Sequence, residues 1–211
     1  MKNKIVAIIL IIGIMAGIGL NVYNHMTKCK YEIVILVMDV WKTLPHEVQP
    51  TTDVEDAVKI IEWNRWWYND VEKVVEDKIV PLLEWARGKN IKIVFSNLGY
   101  PNWDVTLNPL LEQDKYNEPI INQTSDLDNY LKSKEIDKIY YCGFAINNCI
   151  LGKPTGMRRM YDLGYEVNLI EDAALSSEYQ AITHEEAIEF MIKNLETGFT
   201  TVEDFERIYG G

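Results

Sequence analysis

Two side chains stand where an α/β protein does its chemistry, Cys149 and Asp39. Cys149 follows a short apolar run rich in strand formers, residues 139–142, and a turn, residues 143–148 (GFAINN). It stands where the next helix should begin, and at a helix N-terminus unpaired N–H groups and the helix dipole favour a thiolate. A cysteine there reads equally well as a reactive thiol or as a small buried side chain. Asp39 closes a near-continuous apolar run, residues 32–38 (EIVILVM), of the kind that makes a central strand covered on both faces. Cys142, in mid-strand, is expected to be inert. The chain has three cysteines, the third being Cys29, an odd number that is no disulfide framework. Its three histidines, His25, His46 and His184, are well separated.

The elements that must position Cys149 and Asp39 alternate. After the first strand come a loop with Pro45 and Pro50 and a long helical pattern over residues 54–87, kinked or divided at Pro81. Its tryptophans, Trp63, Trp66, Trp67 and Trp85, read as core and lid packing. A second strand over 91–95 leads into a long loop, 96–116, of a length that is more often functional than not. A third short strand (119–121), a helix (125–134) and the strand before Cys149 follow. The helix after Cys149 ends at Leu163-Gly164, a further strand spans 165–170, and a helix over 184–195 precedes a short tail. Alternation of this kind predicts a three-layer α/β/α sandwich around a parallel sheet, and the order expected for it is 3-2-1-4-5, with room for a sixth short strand. In that order Asp39 and Cys149 lie at adjacent strand ends, where such sheets gather ligands.

The chain has 211 residues, enough for one substantial domain, and 47% of them are apolar. A net charge of −11, from 32 acidic against 21 basic residues, argues against nucleic acid as a partner. The N-terminus is a separate matter. A basic start, Lys2 and Lys4, precedes residues 5–23, which carry no charge. As a helix this run would measure about 28 Å, close to the hydrocarbon thickness of a bilayer. It outlasts the apolar core of a signal peptide and has no polar face for a soluble helix. The expectation is a single-pass, uncleaved membrane anchor over residues 1–30 followed by a catalytic domain over 31–211. Lys28 and Lys30 leave its orientation open.

The turn at residues 143–150 (GFAINNCI), with 164–167 (GYEV) and 171–173 (EDA), resembles the isochorismatase-like cysteine hydrolases, a family that includes nicotinamidases and N-carbamoyl amidohydrolases. Residues 37–41 (VMDVW) and 183–188 (THEEAI) extend the resemblance over about residues 31–205. It implies an Asp–Lys–Cys triad: Cys149 attacks a carbonyl or similar carbon, Asp39 takes its proton and a lysine supports the charge. Main-chain N–H groups of the turn, at Ala145, Ile146 and Asn148, would form the oxyanion hole. The resemblance also implies a non-proline cis peptide at Phe144–Ala145 or Ala145–Ile146.

Two features depart from the family pattern. The lysine expected after the third strand is replaced by Asn122-Gln123, and counting back from the helix start at Ser125 makes Lys115 the candidate. Three extra residues also fall near Gly152-Lys153-Pro154. Lys153 could supply a cation, although a solvated lysine is the expected reading. Some relatives hold a metal with an aspartate and two histidines, and the histidine spacing here predicts no such site, so no cofactor is expected. The expected partner is a small amide-like substrate, with self-association left open.

Two other readings compete. Residues 39–44 (DVWKTL) resemble the first motif of haloacid-dehalogenase-like hydrolases, with Ser96, Lys153 and Glu171-Asp172 posing as the rest. Asp39 would then be the nucleophile and Mg²⁺ would be required. Alternatively, a chain lacking the triad lysine would be an inactive, membrane-tethered binding domain.

Overall fold

The six residues of β1 (Ile33–Met38) are all buried, as a strand covered on both faces requires. In this computed structural model, which describes residues 32–42, 70–99, 106–176, 183–195 and 197–210, β1 is the centre of the sheet. It runs parallel to β2 (Lys92–Ser96) on one side and to β3 (Lys138–Phe144) on the other. Beyond β3 lie β4 (Glu166–Leu175) and a short edge strand β5 (Gly198–Thr200), so the order is β2-β1-β3-β4-β5, all parallel. The stretch expected as a third strand, 119–121, lies in the expected place but makes a single parallel bridge, Phe95 to Ile120. With that bridge counted, the expected order holds, and β5 is the sixth short strand.

Alternate side chains of β1 serve opposite faces. Val34, Leu36 and Met38 join one cluster with α3 (Thr124–Ser133), α4 (Met157–Asp162) and α5 (His184–Leu195), which contribute Leu127, Leu131, Met157, Met160, Ala187, Met191 and Leu195. The other face receives α6 (Val202–Tyr209), whose Phe205 packs edge-on to Tyr140 and to Trp85 of α1 (Val80–Gly88). Three layers result. α1 carries Pro81 in its first turn and continues a π-helical turn, Val75–Ile79, so the proline marks a change of helix type. The region read as a tail is structured: Thr201 caps α6 by accepting from the Asp204 N–H at 3.2 Å.

The long loop after β2 is partly ordered by α2 (Gln113–Tyr116) and by Arg87, whose guanidinium makes a two-pronged pair with Glu118 at 3.0 and 2.7 Å and donates to the Leu111 carbonyl. β4 runs past the expected Ile170 because it bulges: Tyr141 faces Leu169, but Gly143 faces Ala174. The bulge turns Asp172 toward Lys78 (2.8 Å) and the Val202 N–H (2.8 Å). The membrane anchor expected over residues 5–23 lies outside the described residues. Among the described residues no helix is long and apolar enough to cross a membrane.

Candidate active site

In the order β2-β1-β3-β4-β5 the chain leaves β1 toward β2 and leaves β3 toward β4, so the connections from these two neighbouring carboxyl ends run in opposite directions. A crevice opens at such a point. Asp39 is the first residue beyond β1 and takes a left-handed conformation, φ +53°, which aspartate tolerates better than most residues. Its main-chain N–H donates to the Ser96 carbonyl at 2.9 Å. On the neighbouring strand Gly143 lies opposite Met38, with φ +105° and no room for a Cβ against the Met38 main chain. Only glycine lets the two backbones approach this closely. The peptide Phe144–Ala145 is cis, at one of the two expected positions. The chain then winds through a wide π-type turn, Ile146–Ile150, that carries Cys149.

The Asp39 carboxylate is 2% exposed and fully engaged. One oxygen accepts from the Leu98 N–H at 3.2 Å. The other accepts from the Lys153 ammonium, which also donates to the Leu98 carbonyl. The Cys149 thiol donates to the same carboxylate. The Lys153 side chain is 16% exposed and lies over the Trp41 ring, 5.5 Å from its centre. Asp39, Cys149 and Lys153 thus form one constellation.

Lys115 belongs elsewhere. It is 60% exposed and paired with Glu112 one turn away. Counting back from a helix start fixes a place in the chain but not in space, and Lys115 sits in the short exposed helix α2, where Glu112 takes its ammonium. Lys153, expected to be solvated, is the cation beside Asp39. The three extra residues after the nucleophile turn were its signal. They break the helix that should follow Cys149, and α4 starts only at Met157.

That break also changes the expected electrostatics. A π-type turn and a residue or two of helix carry little of the dipole that a long helix would have lent the thiol. Burial pushes the Cys149 thiol up to about 12, and the Asp39 charge adds to this, while Lys153 and the Ala145 N–H pull the other way. Burial likewise raises the Asp39 carboxyl, against Lys153. The site thus presents a thiol that donates to the Asp39 carboxyl group, which the Lys153 side chain also holds. Of the expected oxyanion donors, Asn148 N–H is turned onto the Ala145 carbonyl at 3.2 Å, and Ala145 N–H onto the cysteine sulfur. Cys142 is fully buried, and burial alone pushes its thiol up to about 12. Among the described residues no three His, Cys, Asp or Glu side chains converge as metal ligands, and His25 and His46 lie outside those residues.

The isochorismatase domain family model matches residues 63–206. No curated protein matches the chain by sequence. Solved structures do. An isochorismatase family protein from Burkholderia thailandensis is 17% identical with a TM-score of 0.60, over 85% of this chain and 96% of that one. An isochorismatase-like hydrolase from Alkaliphilus metalliredigens is 20% identical with a TM-score of 0.60, over 85% and 99%. The nicotinamidase of Bacillus subtilis is 16% identical with a TM-score of 0.56, over 81% and 99%. At these identities the structural likeness is one of fold. The domain match decides membership: the chain belongs to the isochorismatase family of hydrolases.

Proposed function

We propose that the chain hydrolyses a C–N bond of a small amide-like substrate through Cys149. The observation that carries this reading is the buried contact of Asp39 with both the Cys149 thiol and the Lys153 ammonium. The thiol gives its proton to Asp39 as its sulfur bonds to the carbonyl carbon. A carboxyl raised by burial is the better proton acceptor for this step. The negative charge that forms on the carbonyl oxygen is met by main-chain N–H groups of the 145–149 turn other than those of Ala145 and Asn148, which are bonded within it. Asp39 then passes the proton to the departing nitrogen, leaving an acyl-cysteine. A water that gives its proton to Asp39 releases the acid and restores the thiol. Lys153 holds the carboxylate in place and offsets charge at each stage.

The haloacid-dehalogenase-like alternative would make Asp39 the nucleophile, yet this carboxylate is engaged by Cys149, Lys153 and Leu98. The inactive-domain reading rested on a missing cation, and Lys153 supplies one. The test is the full chain in mild detergent, offered a panel of small primary amides and N-carbamoyl compounds with ammonia release as the readout. Turnover that disappears in Cys149→Ser is the expected result. Turnover of phosphate esters that needs Mg²⁺ and survives Cys149→Ser would overturn it.

The charge-free run over residues 5–23 supports a further part of this reading, a hydrolase tethered to a membrane. The full chain should sediment with membranes and a chain starting at Lys30 should not. Recovery of both in the soluble fraction would remove the tether.

A further inference from the structure

Four consecutive residues, Lys153, Pro154, Thr155 and Gly156, interrupt the helix after Cys149, and each is tied to a different neighbour. The Lys153 N–H closes back on the Cys149 carbonyl at 3.2 Å. The Pro154 carbonyl accepts from the Thr124 hydroxyl at 2.6 Å. The Gly156 N–H returns to the Lys153 carbonyl at 2.8 Å, and a Cβ on Gly156 would come within 2.8 Å of the Ile150 carbonyl.

Thr155 is the best buried of the four. It is 0% exposed, its hydroxyl lies 2.6 Å from the Ser96 hydroxyl, and its carbonyl accepts from the Tyr141 hydroxyl at 2.9 Å. Ser96 in turn reaches Asn122 Oδ1 at 3.5 Å. Ser96 ends β2, and two residues later Leu98 holds the Lys153 ammonium on its carbonyl. The short stretch 96–98 therefore grips the lysine-bearing turn twice, at the Thr155 hydroxyl and at the Lys153 ammonium. The same stretch holds Asp39 through the Leu98 N–H.

We infer that Thr155, through its hydroxyl bond to Ser96, is a positioning residue that holds Lys153 against Asp39 and Cys149. The inference rests on the proposed cysteine chemistry and adds to it a part of the scaffold that this chain's inserted turn makes necessary. A lysine has a long, flexible stem, so its ammonium stays on target only if its main chain is fixed. A displacement of about 1 Å in such a group is enough to cost a large part of the rate. The buried hydroxyl pair fixes the main chain two residues from the lysine, in a turn too short to move one end without the other.

The charged groups that act on Cys149 are Asp39 and Lys153, so its alkylation rate reports on the ammonium. The experiment is iodoacetamide labelling of Cys149 against pH, read by peptide mass, on the full chain in mild detergent. Thr155→Val removes the hydroxyl at nearly constant shape, Thr155→Ser keeps it, and Ser96→Ala removes its partner. Each is made alone and together with Lys153→Ala. Lys153→Ala should move the labelling curve to higher pH by about one unit, roughly tenfold in rate at fixed pH. Thr155→Val and Ser96→Ala should move it the same way by a smaller amount, and Thr155→Ser should track the native chain. In the Lys153→Ala background neither Thr155→Val nor Ser96→Ala should add a shift.

If Thr155→Val labels like the native chain, or adds an undiminished shift without Lys153, the positioning role is overturned while the cysteine chemistry stands. If Thr155→Val does not fold, Ser96→Ala decides by the same two comparisons. If native Cys149 labels no faster than Cys142, the cysteine reading fails and the positioning role with it.

Discussion

The carboxylate and the ammonium of the Asp39–Lys153 pair are 2% and 16% exposed, so neither can turn to bulk water when the other is removed. Truncating one member of a buried pair leaves the other uncompensated. Lys153→Ala should therefore lower kcat by at least about 100-fold on the amide that the panel identifies, the scale seen when one charge-stabilising donor is lost. Lys115→Ala should leave kcat unchanged, because that ammonium is 60% exposed and bonded to Glu112. Steady-state kinetics of the two variants checks both, and a loss in Lys115→Ala alone would put Lys115 in the site in place of Lys153. Cys149 and Asp39 were legible in the sequence because each ends or follows a recognisable strand. Lys153 was visible only as a possible cation in an inserted turn, since its value depends on which strand ends surround it. The tie it makes to the Leu98 carbonyl joins positions 55 residues apart.

At the scale of elements, the close approach of β1 and β3 decides whether Asp39 can reach Cys149 at all. Gly143 permits that approach, with φ +105° and the Met38 main chain where a Cβ would lie. Gly143→Ala should destabilise the fold by about 2–4 kcal/mol, from backbone strain together with a steric clash that has no flexible side chain to absorb it. Gly88→Ala is the control. It ends α1 with nothing within 4 Å of an added Cβ, and it should be neutral or stabilising by up to about 1 kcal/mol. Urea unfolding midpoints of the two variants test this, and equal effects would show that the strands have slack at Gly143. The strands and most helices follow from hydrophobic period and turn residues. The short third strand was overestimated for a physical reason: three apolar-flanked residues pair with only one neighbour and make one bridge, Phe95 to Ile120.

For the whole molecule, the buried site has a consequence for stability against pH. Burial raises the Asp39 carboxyl in the folded chain, with Lys153 opposing, so the folded state holds that proton more tightly than the unfolded state does. Between the ordinary carboxylate value and the raised one the folded chain binds more protons, and stability then falls as pH rises. Asp39→Asn removes the titration. The unfolding free energy of the native chain minus that of Asp39→Asn should therefore fall as pH rises from about 4, and level off once the folded carboxyl has ionised. Urea unfolding of both chains across that range measures it. A difference that rises with pH would mean that the Lys153 charge outweighs burial.

What the sequence determined by itself is what neighbouring residues along the chain decide: a central strand from an unbroken apolar run, a turn from glycine and paired asparagines, and a cysteine and an aspartate at the ends of strands that alternation makes parallel. The right-handedness of parallel crossovers narrowed the order of the strands without choosing it. Tertiary structure alone decided which lysine serves the site. Lys115 and Lys153 are the same residue type, and each lies near a turn. One is exposed beside Glu112, while the other is held by groups from β1's end, the 96–98 stretch and the Trp41 ring. That difference is a matter of distance through space between segments far apart in the chain, and no local pattern encodes it.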